Sequence, residues 1–163
     1  MVVFGIDPGS TVTGFGVVAS ERGRLKLVDA GAIRTSTDQP VPERLMRIHD
    51  GLLEALDRHP VEAVAIEAIF HHRSSESALR LGQARGVALL AAARRGFTPV
   101  EYNAATVKRT VGGYGKADKD QLARVVRMLL GAVPDGPTDV TDALALAITH
   151  CNHARNLLRR AAS

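Results

Sequence analysis

The chain of 163 residues has one cysteine, Cys151, and no tryptophan. A single cysteine excludes an internal disulfide framework and favours a reducing compartment, so a cytoplasmic location is expected. Aromatic residues make up only 4%, too few for a row of base-stacking platforms, so any role with nucleic acid must lean on phosphate contacts and shape. No apolar run approaches the ~20 residues of a membrane span. The N-terminus has no basic segment followed by an apolar one, so no secretory signal and no membrane partner are expected. His71-His72 stand without a second ligand cluster, which argues against zinc. There is no internal repeat and no dividing linker. One domain over 1–163 is expected, with 156–163 as a frayed basic tail.

What is present is an ordinary core composition, 45% hydrophobic and 23% charged, enough for one soluble domain. The net charge is +4 and the isoelectric point about 9.7, although 17 acidic residues remain. That balance is compatible with a polyanionic partner and makes the distribution of charge more telling than its sum.

The opening run Val2 to Ile6 is apolar and β-branched, and Pro8-Gly9 ends it, so a buried strand closes at Asp7. Thr13 to Ala19 reads as a second strand, weakened by Gly14 and Gly16, and Leu25 to Ile33 alternates as a third. Short turns between them give an antiparallel meander. Pro42-Glu43 opens a helix with the apolar stripe Leu45, Ile48, Leu52, Leu53 and Leu56. Val61 to Ile66 is a strand ending at Glu67, reached through a helix and therefore expected to lie parallel to the first. A helix over 78–95 is apolar nearly all round, with Gly82 and Gly86 four apart. It is expected to be covered twice, either at a homodimer interface or by central burial. A strand over 97–102, helices over 104–111 and 118–130, and a last helix over 138–155 complete an α/β chain.

Asp7 and Glu67 both close apolar strands, the edge at which open α/β sheets place their ligands. Asp139 and Asp142 lie i, i+3 on one helix face. Each has a plain alternative: a turn cap for Asp7, an ion pair with arginine for Glu67, and N-capping for the helical pair. Asp142, however, is followed by the apolar run Ala143 to Ile148, which wedges it against core. Four converging carboxylates repel one another and raise their affinity for protons or a divalent cation. Oxygen ligands alone point to Mg²⁺, with Mn²⁺ as a substitute. Two such ions about 3.5–4 Å apart suit in-line phosphoryl displacement.

Cations are placed to match. Lys108, Arg109, Lys116 and Lys119 flank a glycine-rich loop at 112–115 and are candidates for phosphate contact, against an ordinary solvated surface. Arg73, Arg80 and Arg85 could continue that track. Phe70 could wedge between or stack on bases, or could be a core residue at a strand end.

Gly5-Ile6-Asp7-Pro8-Gly9-Ser10, Ala65-Ile66-Glu67, the run Ser77 to Gly86, and Asp139-Val140-Thr141-Asp142-Ala143-Leu144-Ala145 together resemble RuvC, the bacterial Holliday junction resolvases. Val107-Lys108 and Ala117-Asp118-Lys119 match as well. The resemblance covers nearly the whole chain. It implies an RNase H-like fold with a mixed five-stranded sheet, three strands antiparallel and the others parallel, flanked by helices. It implies a homodimer, Mg²⁺-dependent paired nicks in four-way junctions with 5′-phosphate and 3′-hydroxyl ends, and work with the RuvA–RuvB branch-migration complex. Asp7, Glu67, Asp139 and Asp142 carry over as catalytic and metal-binding acids. Lys108 and Lys119 carry over as basic residues near the scissile phosphate, and Phe70 as the aromatic probe at the junction centre. Some family members carry histidine at the position of Asp139. Ala68 and His71-His72-Arg73 depart from the family pattern on the DNA-facing loop, which leaves the preferred bases open.

Three rivals stand beside this reading. Gly5 to Thr11 also resembles the phosphate loop of actin-like ATPases and sugar kinases, which need a second domain and a further glycine-rich loop. A non-catalytic junction binder would use the basic surface alone, and an RNase H-type enzyme would cut RNA–DNA hybrids.

Overall fold

The computed structural model describes residues 1–68, 75–112, 119–131 and 133–161. Val2–Asp7 (β1) pairs antiparallel with Val12–Glu21 (β2), which pairs antiparallel with Arg24–Arg34 (β3). On its other side β1 pairs parallel with Ala63–Glu67 (β4), and β4 pairs parallel with Val100–Tyr102 (β5). The order β3-β2-β1-β4-β5 puts the opening strand in the middle of the sheet. Val3, Phe4 and Ile6 are wholly buried there, because helices cover both faces.

Side chains alternate across β1. Phe4 and Ile6 face Val41–Asp57 (α1) and Ser75–Ala93 (α2), in a core with Ile48, Leu52 and Ala88. Val3 belongs to the opposite core, built with Ala104–Gly112 (α3), Lys119–Leu130 (α4) and Thr138–Ala161 (α5). Gly5 and Asp7 share its side of the strand. The expected mixed α/β sheet and its parallel crossover are both present, and Pro42 and Glu43 occupy the first turn of α1 as read.

Glycine has a different role in β2 from the weakening expected of it. A Cβ on Gly14 would stand 2.1 Å from the carbonyl oxygen of Asp139, and one on Gly5 would stand 2.0 Å from that of Ala143. Two strands and α5 therefore meet backbone to backbone, and the absent side chains are what admits the helix.

Two boundaries and one burial pattern depart from expectation. The last helix does not stop near Arg155 but continues to Ala161, so 156–161 extend it rather than fray. β5 has three residues, because the chain before it is still closing α2: Phe97 N–H donates to Ala92 O at 3.1 Å, and Gly96 takes φ +79. The long apolar helix is covered on one side only. α2 buries Ala84, Ala88, Ala91 and Ala92, but Leu79 and Leu90 are 64% and 54% exposed and Gly82 and Gly86 face open space. Among the described residues nothing covers that outer face, so they do not bury the helix centrally.

Gly14→Ala should lower stability by about 3 kcal/mol or more, because backbone rather than a movable side chain blocks the added carbon. Urea unfolding midpoints of the two proteins check this; a change under about 1 kcal/mol would contradict the close seat.

Candidate active site

Register brings the first two acids together. Ile6 pairs with Ile66 in the parallel ladder, so Asp7 and Glu67 are the next residues on adjacent strands and leave the same sheet edge. The seat of α5 on Gly5 and Gly14 delivers the first turns of that helix to the same place. Asp7, Glu67 and Asp142 line one cavity of ≈ 220 Å³ together with Lys108 and an apolar wall of Ala104, Val107, Leu122 and Leu146. Asp139 is not among the described lining residues; its Oδ1 lies 3.7 Å from where a Cβ on Gly9 would sit, and its charge acts on Asp7.

The consequence is electrostatic. Burial pushes the Asp7 carboxyl up to about 9, helped by the charges of Glu67, Asp142 and Asp139 and by a side-chain hydrogen bond with Glu67. One of that pair must hold a proton for such a bond to form. Among the described residues no three His, Cys, Asp or Glu side chains are arranged to hold a metal ion as they stand. The donor chemistry fits a hard divalent cation: the acids are oxygen donors, no cysteine or histidine among the described residues lines the cavity, and Asp7 is destabilised by the surplus negative charge such an ion relieves.

The predicted cations divide. Lys108 is half-buried in the cavity wall, and Arg109, next along α3, is exposed. Arg80 lies on α2 with its guanidinium on Glu76 at 2.5 Å. Arg85 must be corrected: it is 6% exposed and ion-paired with Glu101 at 2.7 Å, inside the fold rather than on a DNA-facing track. An apolar helix face buried against the sheet left it no route outward. Phe70, His71, His72, Arg73 and Lys116 lie outside the described residues, as does most of the glycine-rich loop. Lys119 opens α4, and its side chain lies outside them too. Cys151 is buried, its thiol pushed up to about 11 by burial, and serves packing.

Several supporting residues were not singled out from sequence. Asn103 Oδ1 accepts the Thr106 N–H at 2.8 Å, capping α3 and thereby placing Lys108. Tyr102 accepts the Ala68 N–H on its main-chain oxygen at 2.9 Å, just beyond Glu67, and its hydroxyl meets His150 Nδ1 of α5 at 3.0 Å. It thus braces the Glu67 strand against the helix carrying Asp142. Thr13 and Arg44 hold the turn after Asp7. Arg44 was legible in principle, since it stands four residues before Ile48 and eight before Leu52 in the buried stripe of α1.

Acids gathered where a central strand, its parallel neighbour and a late helix meet, on a sheet ordered 3-2-1-4-5, place the molecule in the RNase H-like class. Comparison with known proteins narrows this. The family profile of the crossover junction endodeoxyribonuclease RuvC matches residues 3–150. A RuvC from Photorhabdus laumondii is 46% identical over 158 residues, covering 97% of this chain and 91% of that one. The structure of T. thermophilus RuvC in complex with a Holliday junction substrate is similar at TM-score 0.89 and 41% identity, over 95% of each chain. The yeast mitochondrial Holliday junction resolvase Ydc2, at 13% identity and TM-score 0.65, shares the fold over 97% of this chain and 83% of its own. The chain belongs to the RuvC family.

A raised carboxyl pKa carries a sign. An unfolded aspartate ionises near 3.8 and Asp7 in the fold near 9, so between these values the native state holds a proton the unfolded chain has released. Native stability then falls as pH rises through that window. In chelator, Asp7→Asn should be more stable than the parent at pH 8 by at least about 1.4 kcal/mol, the equivalent of one pKa unit, and the gain should vanish toward pH 4. Urea unfolding across that range measures it; a gain independent of pH would refute the assignment.

Proposed function

We propose that this chain resolves four-way DNA junctions in recombination and repair as a structure-specific endonuclease, nicking two strands of like polarity at symmetric positions. The observation that carries this reading is the convergence of Asp7, Glu67 and Asp142 on one cavity in a chain of the RuvC family. Asp7, Glu67, Asp139 and Asp142 are the residues to hold Mg²⁺, two ions during cleavage, with Mn²⁺ able to substitute. Bound there, such ions supply an activated water and neutralise charge on the leaving oxygen. Lys108 offers its ammonium to a phosphate oxygen of the strand lying in the cavity mouth. Lys119 has the same role, and Arg80, Arg109, Lys116 and Arg73 extend phosphate contact along the strand. Phe70 meets bases at the junction centre. The products are 5′-phosphate and 3′-hydroxyl ends.

Paired cuts of like polarity need two sites related by a two-fold axis, hence a homodimer. The uncovered face of α2 supports it: Leu79 and Leu90 project there, and Gly82 and Gly86 allow close approach of a second helix. RuvA–RuvB is the partner that would bring junctions to this protein, and the cytoplasm is where it acts; no described helix is long and apolar enough to cross a membrane. All four acids and the cations belong to one nuclease domain, 1–163.

Labelled four-way junction, linear duplex and RNA–DNA hybrid, each with Mg²⁺ or chelator, test the activity. Only the junction should be cut, only with metal, and in pairs. Asp7→Asn and Glu67→Gln should each lower the rate by about a hundredfold or more while junction binding persists. Binding without cutting would favour an architectural protein, and cutting of the hybrid an RNase H-type enzyme. Sedimentation should give a dimer at micromolar concentration that Leu90→Glu converts to monomer; a monomeric parent, with or without junction, would rule out the α2 interface.

A further inference from the structure

The turn that follows Asp7 is held from three directions. Arg44 of α1 donates from Nη2 to Ser10 O, and its Nε reaches Thr35 Oγ1 at 3.4 Å. The Thr35 hydroxyl donates to the same Ser10 O at 2.8 Å, and the Thr35 N–H donates to Thr11 O at 2.9 Å. From β2, the Thr13 hydroxyl donates to Gly9 O at 2.9 Å. Arg44 is 6% exposed, a position where an ionised group is costly unless its donors are used. Its described partners are a main-chain carbonyl and a hydroxyl rather than a carboxylate.

We propose that Arg44 is a positioning residue for junction cleavage: by clamping Ser10 and Thr35 it fixes the main chain beyond Asp7, and with it the place of that carboxylate among the others. This rests on the nuclease reading above and deepens it. Asp7 is buried among like charges that push it outward, and the softest way to relieve that push is for the strand end to swing away. The preceding residues cannot yield, because β1 is paired on both sides. The following ones could, since Pro8 has no N–H to pair and Gly9 is free of side-chain restraint. Arg44 removes that freedom. Its action is mechanical, exerted through the Ser10 carbonyl and the Thr35 hydroxyl that it grips. A guanidinium reaches two acceptors in a fixed fork, which a lysine ammonium on a flexible stem does not reproduce.

The test compares Arg44→Lys, Arg44→Met and the milder Thr35→Val with the parent, at a temperature where circular dichroism shows all of them folded. Three quantities are read: single-turnover junction cleavage, junction affinity in chelator, and the rise in melting temperature on adding Mg²⁺ alone. Positioning predicts junction affinity within about twofold and cleavage slower by about tenfold or more. It also predicts a smaller Mg²⁺-induced rise, with Arg44→Lys no better than intermediate. Folded variants with parental cleavage and a parental Mg²⁺ response would overturn the proposal, leaving Arg44 a packing residue. If the parent does not cut junctions, the nuclease reading falls, and the Mg²⁺-induced rise still decides whether Arg44 sets the acid cluster.

Discussion

Everything at the active edge depends on how closely α5 can approach the sheet. Helices ordinarily ride on a cushion of side chains, and a cushion here would lift Asp139 and Asp142 away from the strand ends. At Gly5 and Gly14 there is none, and the helix carbonyls lie where Cβ atoms would be. The helix can sit there because its contacting residues are mostly small: Ala143, Ala145 and Ala147 are wholly buried, with Leu144 and Ile148 filling the spaces between. Sheet register then accounts for Asp7 and Glu67, and helix seating for the other pair.

A cluster of that kind is unstable left to itself. Asp7, Glu67 and Asp142 share a cavity with an apolar wall, Asp139 adds its charge, and Asp7, buried among these like charges, responds by holding its proton. The fold resists by bracing the elements that carry the acids. Tyr102 links the end of β4 to α5, Asn103 caps the helix that brings Lys108, and the threonines at 13 and 35 anchor the turn beyond β1. These are short, directional bonds to main chain or to a neighbouring side chain. They limit relaxation without neutralising the charge, which is what a site kept ready for a cation requires.

Much of this was readable from the chain. Asp7 and Glu67 announced themselves by closing apolar, β-branched runs, and the Asp139/Asp142 pair by spacing and by the apolar run behind it. The parallel pairing of β1 and β4 followed from the helix between them. Other features were hidden for physical reasons. Gly14 and Gly16 look like strand weaknesses locally, because the helix they admit is more than a hundred residues away in sequence. Arg85 looks like a surface cation, because its partner Glu101 belongs to an edge strand of three residues. The end of α5 looked frayed because charge masks helical continuity in its last turns. Arg44 was overlooked because an arginine in an apolar stripe is easily assigned to the solvent side.

The backbone seat of α5 has one more consequence, for divergence. Where side chains separate two elements, each substitution shifts their spacing a little, and distances drift as a family ages. Peptide groups have the same dimensions in every protein. With α5 resting on peptide groups, the residues around it can be exchanged for others of similar bulk while the separation of the strand-borne and helix-borne acids stays where covalent geometry puts it. The distance on which the chemistry depends is thus shielded from the variation that reaches the rest of the core.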